Sequence, residues 1–442
     1  MIPRRLSTIV VVVLSLWVAS LRATAQGKVD SSILEKFFGF YEVSPGKYIY
    51  IQPMSEQDGK LIYATDDGQE RVLFSSSLNV FSAGPGLLIP EPEETKLTFS
   101  QDSNRGITRV TLQQHGVPDR VAKKVHLFNQ EVVHFRNGDV TLTGVLLTPL
   151  SKGPHPAIVL VAGAGPAERF DMFFPAHFAV LHGVALLSYD KRGVRDSTGD
   201  WRKSGFEDLA GDAIAGVQFL KGRKDIDARR IGIMGSSQGG WIGPLAASKS
   251  ADIGFVISIC GPAISPAEQE LDRVEHDLRS RDFSETEISD ALDLMRLRDD
   301  VYRGNQPWEK LQETKEKLTD KKWLQYVPMP RTRESTNFEF YRRLPLDYDS
   351  APALEKLRVP VLAIFGGVDQ NVLPEKNSQA WRMALEKGGD KDYMIRILPH
   401  GRHGLLESQT GADVEVPHLK RIVPEYVPLA LAWLRTHGIA TK

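Results

Sequence analysis

Residues 231–240 read IGIMGSSQGG and are followed directly by the apolar stretch 241–247. The start of this segment has the short, apolar character of a strand that is buried on both faces, and residues 241–247 are typical of an apolar helix. Between them lies a G-x-S-x-G pattern centred on Ser237, whereas Ser236 does not fit the spacing. This arrangement predicts a sharp strand-to-helix turn that exposes the Ser237 hydroxyl.

The glycines of the pattern have a physical purpose. A serine at such a turn has strained backbone angles, and bulk two positions before or after it would block the close approach of strand and helix. The turn also directs the backbone N–H of Gln238 and the helix N-terminus toward the space above Ser237. We therefore predict a nucleophilic serine with an oxyanion-binding amide beside it.

Short apolar runs on both sides of this turn alternate with helical stretches. In residues 207–220, for example, apolar side chains recur at i, i+3 and i+4 spacing. Such alternation predicts an α/β domain with a mostly parallel sheet, here over residues 125–265 and 346–442. The strand-like runs are Ala157–Val161, Val184–Tyr189, Ile231–Met234, Phe255–Ile259 and Val359–Phe365.

Residues 266–345 interrupt the alternation with a polar, charge-mixed segment that contains no strand-like run. Ser284 and Glu287 form a capping-box pattern ahead of apolar residues that share one helix face. We predict a helical cap inserted into the α/β domain. Its aromatic residues, Tyr341 among them, are expected mainly to anchor the cap to the body.

A serine hydroxyl is a poor nucleophile at neutral pH, so a base and an orienting acid are needed. In this architecture the acid and then the histidine follow the serine, each in a loop after a later strand. Asp369 follows the run that ends at Phe365, and His403 follows a further strand over residues 393–398. We predict the triad from these residues and expect His400, which lies just past the strand, to make local contacts only.

Small residues after the first strand of the α/β domain, at 161–166, predict a second oxyanion donor, the backbone N–H of Ala164. Pro166 and the missing Lys-Ser/Thr pair argue against a phosphate-binding P-loop, and the third glycine of a dinucleotide fingerprint is absent. For residues 190–195 (DKRGVR) we expect a tight loop fixed by an Asp–Arg pair.

The N-terminal residues 1–25 predict a cleavable export signal. Arg4 and Arg5 precede an apolar run over residues 9–18, and residues 23–25 (Ala-Thr-Ala) have the small-residue pattern of a cleavage site. The apolar run is too short to span a bilayer comfortably. We expect an exported chain, periplasmic or secreted, with no stable membrane insertion after cleavage.

Residues 30–124 predict a small antiparallel β module that closes into a barrel or sandwich. Runs such as 47–51 and 107–112 are rich in β-branched and aromatic residues, and turn signals such as Asp67-Gly68 separate them. The module contains no candidate nucleophile or phosphate loop. We expect it to pack against the α/β domain or to frame its substrate, in preference to acting as an independent ligand-binding barrel.

The composition of the 442-residue chain excludes some classes of protein. Lys and Arg total 55 against 56 Asp and Glu, so the net charge of -1 gives no general attraction to nucleic acid. The single cysteine, Cys260, excludes an intramolecular disulfide and lies in an apolar run typical of a small buried side chain. We predict neither a metal nor an organic cofactor, and we leave the oligomeric state open.

Together the motifs around Ser237, Asp369, His403 and residues 189–193 (YDKRG) resemble the α/β-hydrolase superfamily, near its dienelactone-hydrolase-like and prolyl-oligopeptidase-like members. The resemblance implies an eight-stranded, mainly parallel sheet with a cap inserted before the strand that carries the acid. One departure is Ala162, where many relatives have a histidine.

These observations predict an exported serine hydrolase that cleaves small-molecule carboxylic esters through an acyl-enzyme. Two alternatives stay open at this point. The first is an exopeptidase or amidase acting on small peptides, although no Glu-Glu pair that would anchor a charged terminus stands out in the cap. The second is a non-catalytic binding protein built on a hydrolase scaffold.

Overall fold

The computed structural model describes residues 34–54, 60–103, 106–171 and 174–441. The expected export signal, residues 1–25, lies outside the described residues. In the described part of the chain, two sheets organise the fold: a closed barrel and an eight-stranded sheet. No helix in these ranges combines the length and the apolar character needed to cross a membrane.

The barrel joins its eight strands in sequence order and closes by pairing β1 with β8. Neighbouring strands are antiparallel, and their inward side chains, among them Phe81 and Phe99, form one buried cluster with Phe37 of the preceding 3-10 turn. The predicted barrel or sandwich is therefore a closed barrel. Its strands are β1 (Gly39–Ser44), β2 (Lys47–Met54), β3 (Lys60–Thr65), β4 (Glu70–Ser77), β5 (Val80–Ala83), β6 (Thr95–Gln101), β7 (Ile107–Gln114) and β8 (Val117–Val125).

The second sheet has the order β16-β15-β14-β13-β11-β12-β10-β9. Among the described strands, the pairings of β9 with β10 and of β10 with β12 are antiparallel and the others are parallel, so the predicted α/β-hydrolase sheet is confirmed. Loops at the carboxyl ends of the parallel strands meet at one edge, where such sheets place their sites. The strands are β9 (Phe128–Asn137), β10 (Val140–Pro149), β11 (His155–Val161), β12 (Ala185–Tyr189), β13 (Ile226–Ser236), β14 (Phe255–Ile259), β15 (Val361–Gly366) and β16 (Tyr393–Leu398).

Helices cover both faces of this sheet. The strand side chains divide between two buried clusters, one on each face, and helix side chains complete each cluster. The helices are α1 (Phe174–Leu181), α2 (Phe206–Lys221), α3 (Gly239–Ala247), α4 (Pro266–Ser280), α5 (Glu285–Arg303), α6 (Trp308–Glu316), α7 (Thr336–Arg343), α8 (Ala351–Leu354), α9 (Pro374–Gly388) and α10 (Tyr426–Thr436). Short 3-10 turns lie at Glu35–Phe37, Trp201–Lys203, Lys322–Tyr326 and Asp413–His418.

Helices α4 to α7 lie between β14 and β15 and form a helical layer with its own apolar cluster. The capping box of Ser284 and Glu287 starts α5, where both reciprocal hydrogen bonds are present. Trp323 and Phe338 are buried inside this cluster and so pack within the cap, whereas Phe340 contacts Trp201 of the α/β domain. Tyr341 differs, because it also lines the pocket above Ser237.

The barrel is attached to the segment that follows His403. The backbone N–H of Glu70 donates to the carbonyl of Lys420 at 2.9 Å, and that of Leu87 donates to Leu419 at 2.7 Å. A Cβ placed on Gly86 would lie 2.3 Å from the carbonyl oxygen of Pro417, so the two backbones approach as closely as a glycine allows. The module thus forms backbone hydrogen bonds with the segment that follows the predicted catalytic histidine.

Candidate active site

Ser237 lies between the end of β13 and the start of α3 and has a φ of 50°, the left-handed conformation expected at this turn. The two glycines of the motif cannot carry a side chain. A Cβ on Gly235 would lie 2.1 Å from the carbonyl oxygen of Gly239, and one on Gly239 would lie 2.4 Å from that of Val161. The strained serine is therefore fixed by backbone contact on both sides.

Asp369 and His403 form a buried hydrogen-bonded pair. The His403 Nδ1–H donates to Oδ2 of Asp369 at 2.8 Å, and the two residues are 6% and 2% exposed. The other carboxylate oxygen, Oδ1, accepts the backbone N–H groups of Asn371 and Val372 at 2.8 and 2.9 Å. The carboxylate is thus fixed by its own loop, and Nε2 of the imidazole stays available for proton transfer.

Ser237 belongs to the same edge of the sheet, although the structure shows no hydrogen bond between its Oγ and His403 within the described residues. Its backbone N–H donates to the carbonyl of Ile259 at 3.0 Å, and the next residue, Cys260, lies beside the Asp369–His403 pair. The hydroxyl and the imidazole therefore come from neighbouring loops. Hydrogen bonds of this kind are often long without substrate and shorten in the reactive complex. His400, in contrast, is exposed.

Cys260 is fully buried and has a φ of 48°. Its Sγ, an oxygen of Asp369 and a ring nitrogen of His403 all lie within 4.8 Å of one another. Burial and then the negative charge of Asp369 raise the pKa of the thiol. The prediction of a buried cysteine is confirmed, but its contact with Asp369 and His403 was not predicted. Since Nδ1 of His403 is engaged by Asp369, we interpret the cluster as part of that pair.

The predicted oxyanion donors flank Ser237. A Cβ on Gly163, the residue before Ala164, would lie 3.4 Å from Cβ of Ser237. Within the described residues, the backbone N–H groups of Ala164 and Gln238 donate to no other protein group. Two amides without an internal acceptor next to Ser237 are what an oxyanion hole at this serine would require.

A pocket opens beside Ser237 and encloses about 790 Å³, part of it open to solvent. Its walls combine Ala164, Ser237 and Gln238 with cap residues, among them Glu270 and Arg273. Burial opposes ionisation of Glu270, but Arg273 binds it through two hydrogen bonds of 2.9 and 3.0 Å and holds its pKa below the usual range. This ion pair was not predicted from the sequence, because a polar helix face carries no motif.

The loop of residues 190–195 is fixed differently from the prediction, since its Asp–Arg pairs use partners outside the motif. Nη2 of Arg169 lies 2.9 Å from Oδ2 of Asp190. Nη2 of Arg192 lies 2.7 Å from Oδ1 of Asp212 on α2. Lys191 was assigned no role from the sequence. Its side chain extends toward Gly163 and Gln238, the neighbours of the predicted oxyanion donors.

Known proteins share sequence similarity with this chain. Residues 137–404 match the family model described as X-Pro dipeptidyl-peptidase (S15 family). The esterase EstD of Thermotoga maritima is 26% identical over 304 residues, which cover 65% of this chain and 64% of that protein. The quorum-quenching protein AidA of Acinetobacter baumannii is 31% identical over 133 residues, 29% of this chain and 42% of that protein.

The chain therefore spans less than two thirds of the length of these relatives. Among solved structures, the Pyrococcus furiosus esterase Pf2001 has a TM-score of 0.43 at 16% identity and covers 70% of this chain and 91% of its own. The family model, in contrast, covers more than half of the 442 residues and includes Ser237, Asp369 and His403. On that basis this chain, with its α/β-hydrolase sheet, belongs to the S15 family of X-Pro dipeptidyl-peptidases.

Proposed function

We propose that this protein is a serine hydrolase that cleaves carboxylic esters through an acyl-enzyme, with Ser237, His403 and Asp369 as its triad. The observation that carries the proposal is the buried Asp369–His403 hydrogen bond of 2.8 Å at the sheet edge where Ser237 occupies its strained turn. The similarity to the esterase EstD supports ester substrates.

The reaction follows from the positions of these groups. Oγ of Ser237 attacks the ester carbonyl carbon while Nε2 of His403 accepts the hydroxyl proton, and Asp369 stabilises the imidazolium that forms. The oxygen of the tetrahedral intermediate accepts hydrogen bonds from the N–H groups of Ala164 and Gln238. His403 then protonates the leaving alcohol as its C–O bond breaks, and water cleaves the acyl-enzyme by the same steps. These steps require no metal or organic cofactor.

Hydrolysis of p-nitrophenyl acetate by purified variants tests the proposal. Ser237→Ala should lower kcat by at least about 10⁴-fold with unchanged circular dichroism, because the nucleophile is lost and the fold is not. The matched control is Ser236→Ala, which removes the neighbouring hydroxyl outside the motif and should keep most of the activity. Equal rates for wild type and Ser237→Ala would overturn the proposal.

We also propose that the protein is exported. Support comes from residues 1–25 alone, with Arg4 and Arg5, the apolar run and the Ala-Thr-Ala motif at 23–25. Expression of the full chain, followed by fractionation and N-terminal sequencing, should give a periplasmic or secreted protein that begins at Gln26. A cytoplasmic protein that keeps residue 1 would contradict export.

A second candidate is a peptidase that removes short N-terminal units from small peptides. Two observations favour it: the family that the chain belongs to is described as X-Pro dipeptidyl-peptidase, and Glu270 places a carboxylate in the pocket wall. A carboxylate at this position could bind a substrate ammonium group. Against it, both oxygens of Glu270 already accept hydrogen bonds from Arg273.

Parallel assays separate the two candidates. An ester hydrolase turns over p-nitrophenyl acyl esters much faster than X-Pro p-nitroanilides, and Glu270→Gln leaves the hydrolysis of small uncharged esters within about threefold. A peptidase would cleave the anilides, and Glu270→Gln would raise their KM by about tenfold or more. Glu275→Gln on the exposed side of α4 is the control for charge removal.

A further inference from the structure

Lys191 follows β12 and has its ammonium group buried between the two segments that flank Ser237. The residue is 6% exposed. Its Nζ donates one hydrogen bond to the carbonyl oxygen of Gly163 and a second, at 3.3 Å, to the side-chain oxygen of Gln238. A single cation therefore joins the loop after β11 to the turn before α3.

These two acceptors lie directly beside the two predicted oxyanion donors. Gly163 precedes Ala164 in the chain, and the side chain that Lys191 binds belongs to Gln238 itself. The amides of Ala164 and Gln238 have no acceptor within the described residues, so no hydrogen bond of their own fixes their direction. Pairing of β11 with β13 holds the two segments side by side, and the ammonium group of Lys191 links them next to these amides.

Burial of the Lys191 ammonium group costs electrostatic free energy, unlike the burial of an apolar side chain. A buried ammonium loses hydration, and a carboxylate partner is the usual compensation. In the described part of the chain, no carboxylate lies within 4.0 Å of Lys191 Nζ, and Asp212, whose charge acts on it from α2, is bound by Arg192. Burial lowers the pKa of Lys191 to about 7, and Asp212 offsets only part of that effect.

Other charged groups near the loop are already paired. Asp190, the preceding residue, is bound by Arg169 and by the backbone N–H of that arginine. The charge of Lys191 is thus not neutralised by a direct partner. A positive charge of this kind stabilises negative charge that develops nearby in a water-poor site.

We infer that Lys191 is a positioning residue of the oxyanion hole. Its ammonium holds Gly163 and Gln238 so that the N–H groups of Ala164 and Gln238 converge on the substrate oxygen, and its charge favours the oxyanion. The inference rests on the proposed ester hydrolysis at Ser237. It makes the loop at residues 190–195 a part of the catalytic machinery, in addition to its structural role.

Steady-state kinetics over a range of pH tests this role, with p-nitrophenyl acetate as substrate. Lys191→Met keeps the volume of the side chain and removes its charge and donors, so kcat should fall about 10- to 100-fold while KM changes less than about threefold. In the wild type, kcat/KM should decline as pH rises above about 7, where Lys191 loses its proton, and this decline should be absent from Lys191→Met.

Two further variants complete the comparison. Lys191→Gln keeps a neutral donor, so its kcat should lie between those of wild type and Lys191→Met. The decline above pH 7 should again be absent. This variant also replaces Lys191→Met in the comparison if that protein does not fold. Lys224→Met removes an exposed lysine at the opposite end of β13 and should match the wild type.

The outcomes distinguish this inference from the proposed function. A folded Lys191→Met whose kcat lies within twofold of an active wild type overturns the inference and leaves the ester hydrolase standing. An effect on KM alone, or an unchanged decline above pH 7, also overturns it. A wild type that neither hydrolyses esters nor reacts with a fluorophosphonate rejects the proposed function, and the role of Lys191 with it.

Discussion

Nδ1 of His403 lies 2.8 Å from Oδ2 of Asp369, in a pair that bridges the loops after β16 and β15. The pair is buried, and the opposite oxygen of the carboxylate is bound by two backbone N–H groups of its own loop. The carboxylate can therefore hold the imidazole in one tautomer and one orientation. In a serine hydrolase this arrangement leaves Nε2 as the base.

Asp369→Asn should lower kcat by about 10³- to 10⁴-fold while the melting temperature changes little. The amide oxygen can still accept the backbone N–H groups at Oδ1, but its NH₂ group would face Nδ1 and force the wrong imidazole tautomer. Ester hydrolysis and thermal unfolding measure the two effects. Asp392→Asn, an exposed site that also pairs with a histidine, is the control. Activity within tenfold of wild type would contradict the role of Asp369.

Cys260 should be inert to thiol reagents in the folded protein. Its pKa is raised by burial and by Asp369, so the reactive thiolate is scarce at pH 8. Titration with a chromogenic disulfide should detect no thiol in the native protein and one thiol after unfolding in guanidinium. Reaction of the native protein within seconds would show that the thiol is accessible or ionised.

Gly239→Ala should destabilise the turn at Ser237 strongly, by about 3 kcal/mol or more, because the new Cβ would lie 2.4 Å from a main-chain oxygen that cannot move alone. Chemical denaturation measures the change in the free energy of unfolding. The control is Gly222→Ala, where the nearest atom is 3.5 Å away and φ is -75°. Similar stabilities for the two variants would show that the turn is looser than described.

Glu70 should make the attachment of the barrel sensitive to pH. Burial raises its pKa from 4.5 to about 7, so the folded protein binds more protons than the unfolded chain between these values. The buried carboxyl therefore contributes to the free energy of unfolding while it is protonated. This contribution is fully present below pH 4.5 and is lost as pH rises through 7. Relative to wild type, Glu70→Gln should be more stable above pH 7, by on the order of 2 kcal/mol, and not at pH 4.

Urea unfolding at pH 4, 6 and 8 tests this prediction of a pH-dependent difference. Glu94→Gln, an exposed carboxylate elsewhere on the barrel, is the control and should give a constant offset. A difference between Glu70→Gln and wild type that does not change with pH would mean that the carboxyl is hydrated in the folded protein.

Local patterns in the sequence predicted the strands of the sheet and the residues of the candidate triad. Each strand, turn and loop has its own pattern within a short stretch of the chain. The turn at Ser237 needs glycines two positions away, and Asp369 and His403 each follow their own strand. His403 was preferred to His400 because it lies in a small-residue loop beside Gly404, and in the structure it is His403 that binds the carboxylate of Asp369.

Contacts between distant segments could not be predicted in this way. The partner of Asp190 is Arg169, 21 residues earlier, and no periodicity links them. Glu270 lies on a polar helix face, and the pattern around Lys191 predicted a tight loop but not the contacts of its ammonium group with Gly163 and Gln238. The attachment of the barrel to residues 417–420 depends on backbone hydrogen bonds, which any residue type can make.

Covalent labelling with a fluorophosphonate, followed by peptide mapping, tests the central claim most directly. The reagent traps a serine only if its hydroxyl is activated and its oxyanion is stabilised. We expect one adduct on the wild-type protein, on Ser237, and none on Ser237→Ala. An unlabelled wild type, or a label that persists in Ser237→Ala, would contradict the assignment of this serine as the nucleophile.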